Sequence, residues 1–398
     1  MAQVHGTCTE QFTELRSLLQ ASLERGDDAG ASVAVCLDGT MVVDLWGGHL
    51  DAGRKSPWQA DTLVTTWSVA KTMTALCALV LADHRTIGFD DPVARYWPQF
   101  AAAGKGEVLV RHILGHTAGL PDWDQPLSTD DLYDWEKATE SLARQPPRWK
   151  PGTTSGYHAL TQGFLLGEII RRTTGMSPGA FFASTLAQPL GADFHFSIGE
   201  ADDHRIAPLL PHTTPPPGPS GAPNCMPPVQ LRTLVTPQDT WAEGWRRAEI
   251  PAAAGWGNAR SIARLQALLA CGGALDGHRL FSETTADAAL AEESNQTDLV
   301  LGSHVRFGRG FGLTTPDLAD VLPNPRTCWW DGWGGSVAVT DLDARLSIAY
   351  AMNQMRSREH TIADRRALDL IRATYRALPR GKRRYRPASA HPGSEASS

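Results

Sequence analysis

Apolar residues recur at helical spacing over residues 9–25 (Phe12, Leu15, Leu18, Leu19, Leu23), and the run ends in Gly26-Asp-Asp-Ala-Gly30, a helix stop. Two apolar-rich stretches follow, 31–37 and 41–47, separated by Asp38-Gly39-Thr40, and this spacing predicts two strands joined by a tight hairpin. Residues 68–83 contain no Gly or Pro, and Val69, Met73, Leu76, Leu79 and Val80 hold one continuous face, which predicts a buried helix. From 90 to 172 the pattern is helical, with breaks at Trp97-Pro98, Gly119-Leu-Pro121 and Pro146-Pro147 and a strongly periodic run over 157–172. Prolines crowd residues 207–237; because each lacks an N–H and fixes φ, the stretch reads as a long surface loop and a candidate lid. A helix over 261–270, strand-like runs over 333–340 and 346–352 and a helix over 362–378 close the pattern, and residues 381–398 have the composition of a disordered tail.

This order implies an α/β (α+β) fold: an antiparallel sheet flanked by helices and built from both ends of the chain, residues 1–89 and 250–380. A mainly helical lobe, 90–249, is inserted between them, and the site is expected at their junction.

Composition narrows the partners. Hydrophobic residues make up 42% and charged residues 20%, ordinary for a globular protein, and a net charge of −6 with mixed signs leaves no footprint for nucleic acid. The start carries no basic segment followed by an apolar one, and no apolar run is long enough to span a bilayer, so a cytoplasmic protein without a membrane partner is expected. Cys8, Cys36, Cys77, Cys225, Cys271 and Cys328 lie far apart, without the spacing of a zinc site, and read as inert thiols. His112 and His116 are four apart but lack the Glu of H-E-x-x-H, so no metal is expected. Gly255-Trp-Gly257 and Gly308-Arg-Gly310-Phe-Gly312 complete no nucleotide fingerprint, and no cofactor is expected. There is no G-x-S-x-G elbow for a Ser-His-Asp triad.

The chemistry sits at Thr66-Trp-Ser68-Val-Ala-Lys71-Thr72, an S-x-x-K at the start of the buried helix. Three residues apart on a helix, Ser68 and Lys71 share a face. Read alone, an S-x-x-K is more often an N-cap serine and a lysine reaching solvent. A lysine desolvated near a helix N-terminus, however, loses its preference for the charged form and can take a proton from the hydroxyl.

The order of elements around Ser68 resembles the serine β-lactamase and penicillin-binding-protein superfamily, nearest to class C β-lactamases and their family VIII-type esterase and acyltransferase relatives. The resemblance covers roughly residues 30–378. Beyond Ser68-Val-Ala-Lys71, it includes Arg111-His-Ile-Leu-Gly-His-Thr117-Ala-Gly119-Leu-Pro121, similar to the family's stretch after the nucleophile helix. It also includes Lys150-Pro-Gly-Thr-Thr-Ser-Gly156-Tyr157, similar to the turn before its catalytic tyrosine. The resemblance implies a β-lactamase/transpeptidase-like fold with Ser68, Lys71 and Tyr157 as the catalytic group. His158 and Ala159 stand where lactamases have a small residue and Asn. Trp330-Asp331-Gly332 replaces Lys-Thr-Gly on the strand flanking the pocket, which removes a cationic dock for a carboxylate. Both departures favour esters over lactams.

Glycine there lets a strand bring its N–H near a developing oxyanion, and the N–H groups of Ser68 and Trp333 are the oxyanion-hole candidates. Trp330, Asp331, Gly332, His158 and Trp123 are the substrate-binding candidates; His158 reads equally as a helix cap. The expected activity is ester hydrolysis through acyl-Ser68 on a small-molecule substrate. An acyltransferase using an alcohol or amine acceptor is the alternative, and a β-lactamase, a D-amino-peptidase or a non-catalytic binding module ranks below both.

Overall fold

The computed structural model describes residues 3–211, 229–233, 235–357 and 362–382. Most of the proline-rich stretch, Cys225 and nearly all of the expected tail therefore lie outside the described residues.

Nine strands form one antiparallel sheet: β1 (Val4–Cys8), β2 (Gly30–Leu37), β3 (Thr40–Gly48), β4 (Ser294–Thr297), β5 (His304–Phe307), β6 (Gly312–Leu313), β7 (Thr327–Asp331), β8 (Val337–Asp341) and β9 (Leu346–Met352). Their order across the sheet is β1-β3-β2-β9-β8-β7-β6-β5-β4, so the first and last parts of the chain meet at β2 and β9. The helices that matter for the site are α1 (Thr13–Arg25), α2 (Ala70–Asp83), α3 (Trp135–Arg144), α4 (Thr161–Thr174), α5 (Ala259–Ala270) and α6 (Arg365–Ala377).

The central strands are buried on both faces, and their period-2 pattern alternates large with small residues instead of apolar with polar. On one face Val33, Val35, Ile348, Tyr350, Val337 and Val339 pack against α1 and α6. On the other face Ala34, Cys36, Ala338, Ala349 and Ala351 are small, so α5 lies close, and Ser347 Oγ donates to the carbonyl of Ala263 at 2.6 Å. Beyond α5 lies α2, mostly apolar and buried from Ala70 to Leu81, with Gln266 of α5 donating to Thr72 of α2 at 2.8 Å.

Several expectations shift. The first helix begins at Thr13 behind a 3-10 turn, Glu10–Phe12, and an unforeseen edge strand, β1, precedes it. The strand expected over 333–340 starts only at Val337, as β8; residues 332–336 form a turn back from β7 that the glycines permit, Gly334 and Gly335 having φ of 97° and 133°. The periodic run over 157–172 turns helical only at Thr161, leaving Tyr157 in extended or irregular backbone. Between 90 and 160 only α3 exceeds two turns; the rest is short helix and 3-10 turn. No helix among the described residues is long and apolar enough to cross a membrane.

A buried ionic cluster ties α6 to the sheet. Arg366 donates to Asp28 at 2.7 Å, to Asp364 at 2.6 Å and to the carbonyl of Gly334 at 3.0 Å, while Tyr350 and Ser22 also donate to Asp28. Both Arg366 and Asp28 are almost wholly buried, so removing the Asp28 carboxylate leaves the buried cation with Asp364 alone as carboxylate partner and deprives the Tyr350 and Ser22 hydroxyls of their acceptor. Asp28→Ala is expected to lower stability by about 3–5 kcal/mol. Urea unfolding followed by tryptophan fluorescence measures it, and an unchanged midpoint contradicts this account of the cluster.

Candidate active site

Ser68 stands in the 3-10 turn Trp67–Val69 that feeds α2. The turn is sharp because Trp67 takes φ of 48°, a left-handed conformation that costs a non-glycine residue about 1–3 kcal/mol. Two features offset that strain. The N–H and Oγ1 of Thr66 both donate to the carbonyl of Gly255, at 2.8 and 3.0 Å. The Trp67 ring, 3% exposed, packs against Trp245 at 5.7 Å and Trp333 at 5.1 Å between ring centroids. The result is a serine hydroxyl presented at the first turn of a helix, where backbone N–H groups lack intrahelical partners.

Lys71 is 0% exposed, and its Nζ has three oxygen neighbours: Ser68 Oγ at 3.1 Å, the carbonyl of Ala159 at 2.7 Å and the carbonyl of Ala252 at 2.9 Å. Burial drives its pKa well below the usual 10.5, with the nearby Asp331 carboxylate pulling weakly the other way. Tyr157 Oη lies 2.7 Å from Ser68 Oγ, and the Lys71 amine sits 4.9 Å from the centre of the Tyr157 ring. The three side chains of the expected catalytic group therefore meet at one oxygen.

The turn after β7 lies against the serine turn. A Cβ on Gly332 would stand 2.1 Å from the Thr66 carbonyl oxygen, so only glycine allows this approach. Within that turn Gly332 N–H donates to the carbonyl of Ser336 and Gly335 N–H to that of Gly332, but among the described residues the Trp333 N–H donates to no acceptor. A free N–H next to the serine turn is the property required of an oxyanion donor.

A cavity of about 580 Å3 opens from Ser68 and Tyr157. One wall is aromatic and aliphatic, built from Trp330, Phe307, Val305 and Leu301; Trp333, 46% exposed, stands at the lip. Trp330, Asp331, Gly332 and Trp333 all line it, whereas two other candidates do not. Trp123 is wholly buried, donates to the carbonyl of Ala138 and packs on Phe164, a core residue of the helical region. His158 is also wholly buried and serves backbone, with Nδ1 donating to the carbonyl of Gly156 and Nε2 accepting from the Leu120 N–H. Burial depresses its pKa to about 3, so it is neutral at physiological pH and neither touches the cavity nor caps a helix.

Sequence reasoning missed the carbonyls of Ala159 and Ala252, which carry no side-chain signature, and the cavity residues Leu301, Val305 and Phe307. The last two alternate with His304 and Arg306, a period-2 signal long enough for the short strand β5. Among the described residues no group of three or more His, Cys, Asp or Glu could hold a metal ion.

Comparison with known proteins agrees with this geometry. The family model described as Beta-lactamase matches residues 15–372. The chain is 32% identical over 355 residues to the esterase/beta-lactamase LipL of Mycobacterium tuberculosis, covering 82% of this chain and 78% of that protein. It superposes on the crystal structure of a family VIII carboxylesterase with a TM-score of 0.86 and 39% identity, covering 94% of this chain and 100% of the other. A penicillin-binding-protein homologue from Caulobacter crescentus aligns with a TM-score of 0.85 and 33% identity, again over 94% and 100%. The chain belongs to the beta-lactamase family.

Gly332→Ala is expected to push the turn after β7 away from the Thr66 carbonyl and to cost about 1–3 kcal/mol, since the obstacle is backbone. Chemical denaturation measures the cost, and a variant as stable as the parent argues against the close approach.

Proposed function

We propose that this member of the beta-lactamase family is a serine esterase that hydrolyses carboxylic esters through an acyl-Ser68 intermediate. One observation carries the reading: the Lys71 amine has two carbonyl acceptors and the Ser68 hydroxyl around it, and burial holds its pKa low. A neutral amine has two N–H groups and one lone pair. With both N–H groups given to Ala159 and Ala252, the lone pair faces Ser68 Oγ and can accept its proton.

Ser68 Oγ then attacks the ester carbonyl carbon while its proton passes to the Lys71/Tyr157 pair. The N–H groups of Ser68 and Trp333 receive the oxyanion. The pair returns the proton to the leaving alkoxide as the C–O bond breaks, which leaves acyl-Ser68 and a free alcohol. Water attacks the acyl carbon in turn, its proton passing to the same pair and on to Ser68 Oγ as that oxygen departs. Lys71 and Tyr157 share one proton system, so no single base is assigned. The carboxylesterase neighbour at 39% identity supports esters as the substrate class. Trp330 in place of a cation leaves that position without a dock for a lactam carboxylate. In this reading the site lies where the sheet lobe, 1–89 and 250–380, meets the mainly helical lobe, 90–249.

A second reading, acyl transfer to an alcohol or amine, is favoured by the apolar wall of Trp330, Phe307, Val305 and Leu301, on which the carbon skeleton of an acceptor can rest while water is displaced. Incubation with p-nitrophenyl butyrate, with and without added alcohols or amines, separates the two. Free butyrate regardless of acceptor marks the esterase, and acceptor-dependent turnover to a new ester or amide marks the transferase.

Ser68→Ala is expected to abolish turnover, and intact-mass analysis of the parent protein during turnover to find a butyryl adduct on Ser68. Undiminished activity in the alanine variant sinks both readings. Lys71→Arg keeps a fixed charge and is expected to lower kcat/KM by about 10²–10⁴-fold. In the parent protein kcat/KM falls on the acid side as Lys71 gains its proton, and because burial lowers that pKa, the fall lies well below pH 10.5. A profile that rises only near pH 10.5 counts against Lys71 as the proton acceptor.

A further inference from the structure

Tyr157 precedes α4 by four residues, so no helix holds it, yet its hydroxyl must stay within hydrogen-bond reach of Ser68. Three consecutive backbone N–H groups fix it. Gly156 N–H donates to the carbonyl of His116 at 3.0 Å, Tyr157 N–H to Asp298 Oδ1 at 3.0 Å, and His158 N–H to His116 Nδ1 at 3.1 Å. His116 and Asp298 are both 0% exposed.

Each is itself built to hold still. His116 takes φ of 59°, a conformation that His and Asn tolerate better than most residues, which lets its carbonyl and its ring reach the same loop. Its ring packs 5.0 Å from that of Tyr157 and 4.8 Å from that of Phe307. Burial, with His158 and Lys71 beside it, lowers its pKa well below 6.5, so Nδ1 stays an acceptor. Asp298 Oδ1 also accepts from the N–H groups of Val300 and Leu301, both at 2.9 Å, and so couples the Tyr157 loop to the segment that carries Leu301 into the cavity.

We infer that His116 and Asp298 are positioning residues for Tyr157: they clamp residues 156–158 from two sides and set the phenol against the Ser68 oxygen. The inference rests on the acyl-Ser68 reading for its kinetic consequence, but not for its geometric one. Asp298→Ala and His116→Leu remove the two side-chain acceptors and leave the His116 carbonyl in place. Asp298→Asn keeps an acceptor oxygen, and His116→Asn keeps both an acceptor near the Nδ1 position and a residue suited to positive φ.

With p-nitrophenyl butyrate, the Ala and Leu variants are expected to lose about 100-fold in kcat, the scale of a misplacement of about 1 Å, with KM within about threefold of the parent. The Asn variants are expected to recover all but about fivefold of that loss. Crystal structures of the Ala and Leu variants are expected to show Tyr157 Oη beyond hydrogen-bond distance of Ser68 Oγ, a result that stands even if esters prove to be the wrong substrate. Should either variant lack a cooperative thermal transition, Asp298→Val or His116→Phe, whose side chains also lack an acceptor, replaces it. The clamp is overturned if the Ala and Leu variants keep the parent's kcat and Tyr157 position, or if the Asn variants fall as far as they do.

Discussion

A lysine amine buried among apolar helices is the constraint around which the centre of this molecule is arranged. Moving an ammonium out of water costs several kcal/mol even after relaxation, and the cost falls only if the proton leaves or if oxygen atoms surround the nitrogen. Both remedies are present. Ala159 and Ala252 supply carbonyls from segments 93 residues apart in the chain (252 − 159), and Ser68 supplies the third oxygen from one helical turn away. Keeping those carbonyls in place requires the loop before α4 and the loop before α5 to converge on the N-terminus of α2, which binds the helical region to the sheet at this point.

The sheet makes that convergence possible through residue size. Alanine, cysteine and serine on one face of β2, β8 and β9 let α5 pack close, and α2 lies behind it, while valine, isoleucine and tyrosine on the opposite face fill the larger gap beneath α1 and α6. The same economy of space governs the turn after β7. Gly332 passes the Thr66 carbonyl where no side chain fits, and Arg366, anchored in its own acid cluster, holds the carbonyl of Gly334. A free Trp333 N–H next to the serine turn is thus the product of packing on both faces of the sheet.

The cavity opens at Ser68 and Tyr157, and its apolar wall comes from β5, β7 and the loop at Leu301. Because Asp298 Oδ1 accepts from the backbone N–H groups of both Tyr157 and Leu301, the two segments share an anchor.

Much of this was legible in the order of residues. Periodicity marked α1, α2, α5, α6 and the β2–β3 hairpin, because a buried face repeats at the period of its own element. Ser68, Lys71 and Tyr157 stood out because each lies in a short motif of defined spacing. The strand expected over 333–340 began too early, since Trp333 in the glycine turn before β8 mimics strand composition. The short strands β4 and β6 carry no readable period, and the alternation in β5 covers only four residues. His158 and Trp123 were placed in the site by proximity in the chain, but tertiary packing turned both inward, where backbone partners and core contacts satisfy them. The sequence by itself determined which side chains carry the proposed chemistry. Only the tertiary structure decided which carbonyls surround the amine, which N–H stays free and which residues hold Tyr157, because those are backbone groups and long-range contacts, whose positions depend on the whole fold and leave no mark in local residue order.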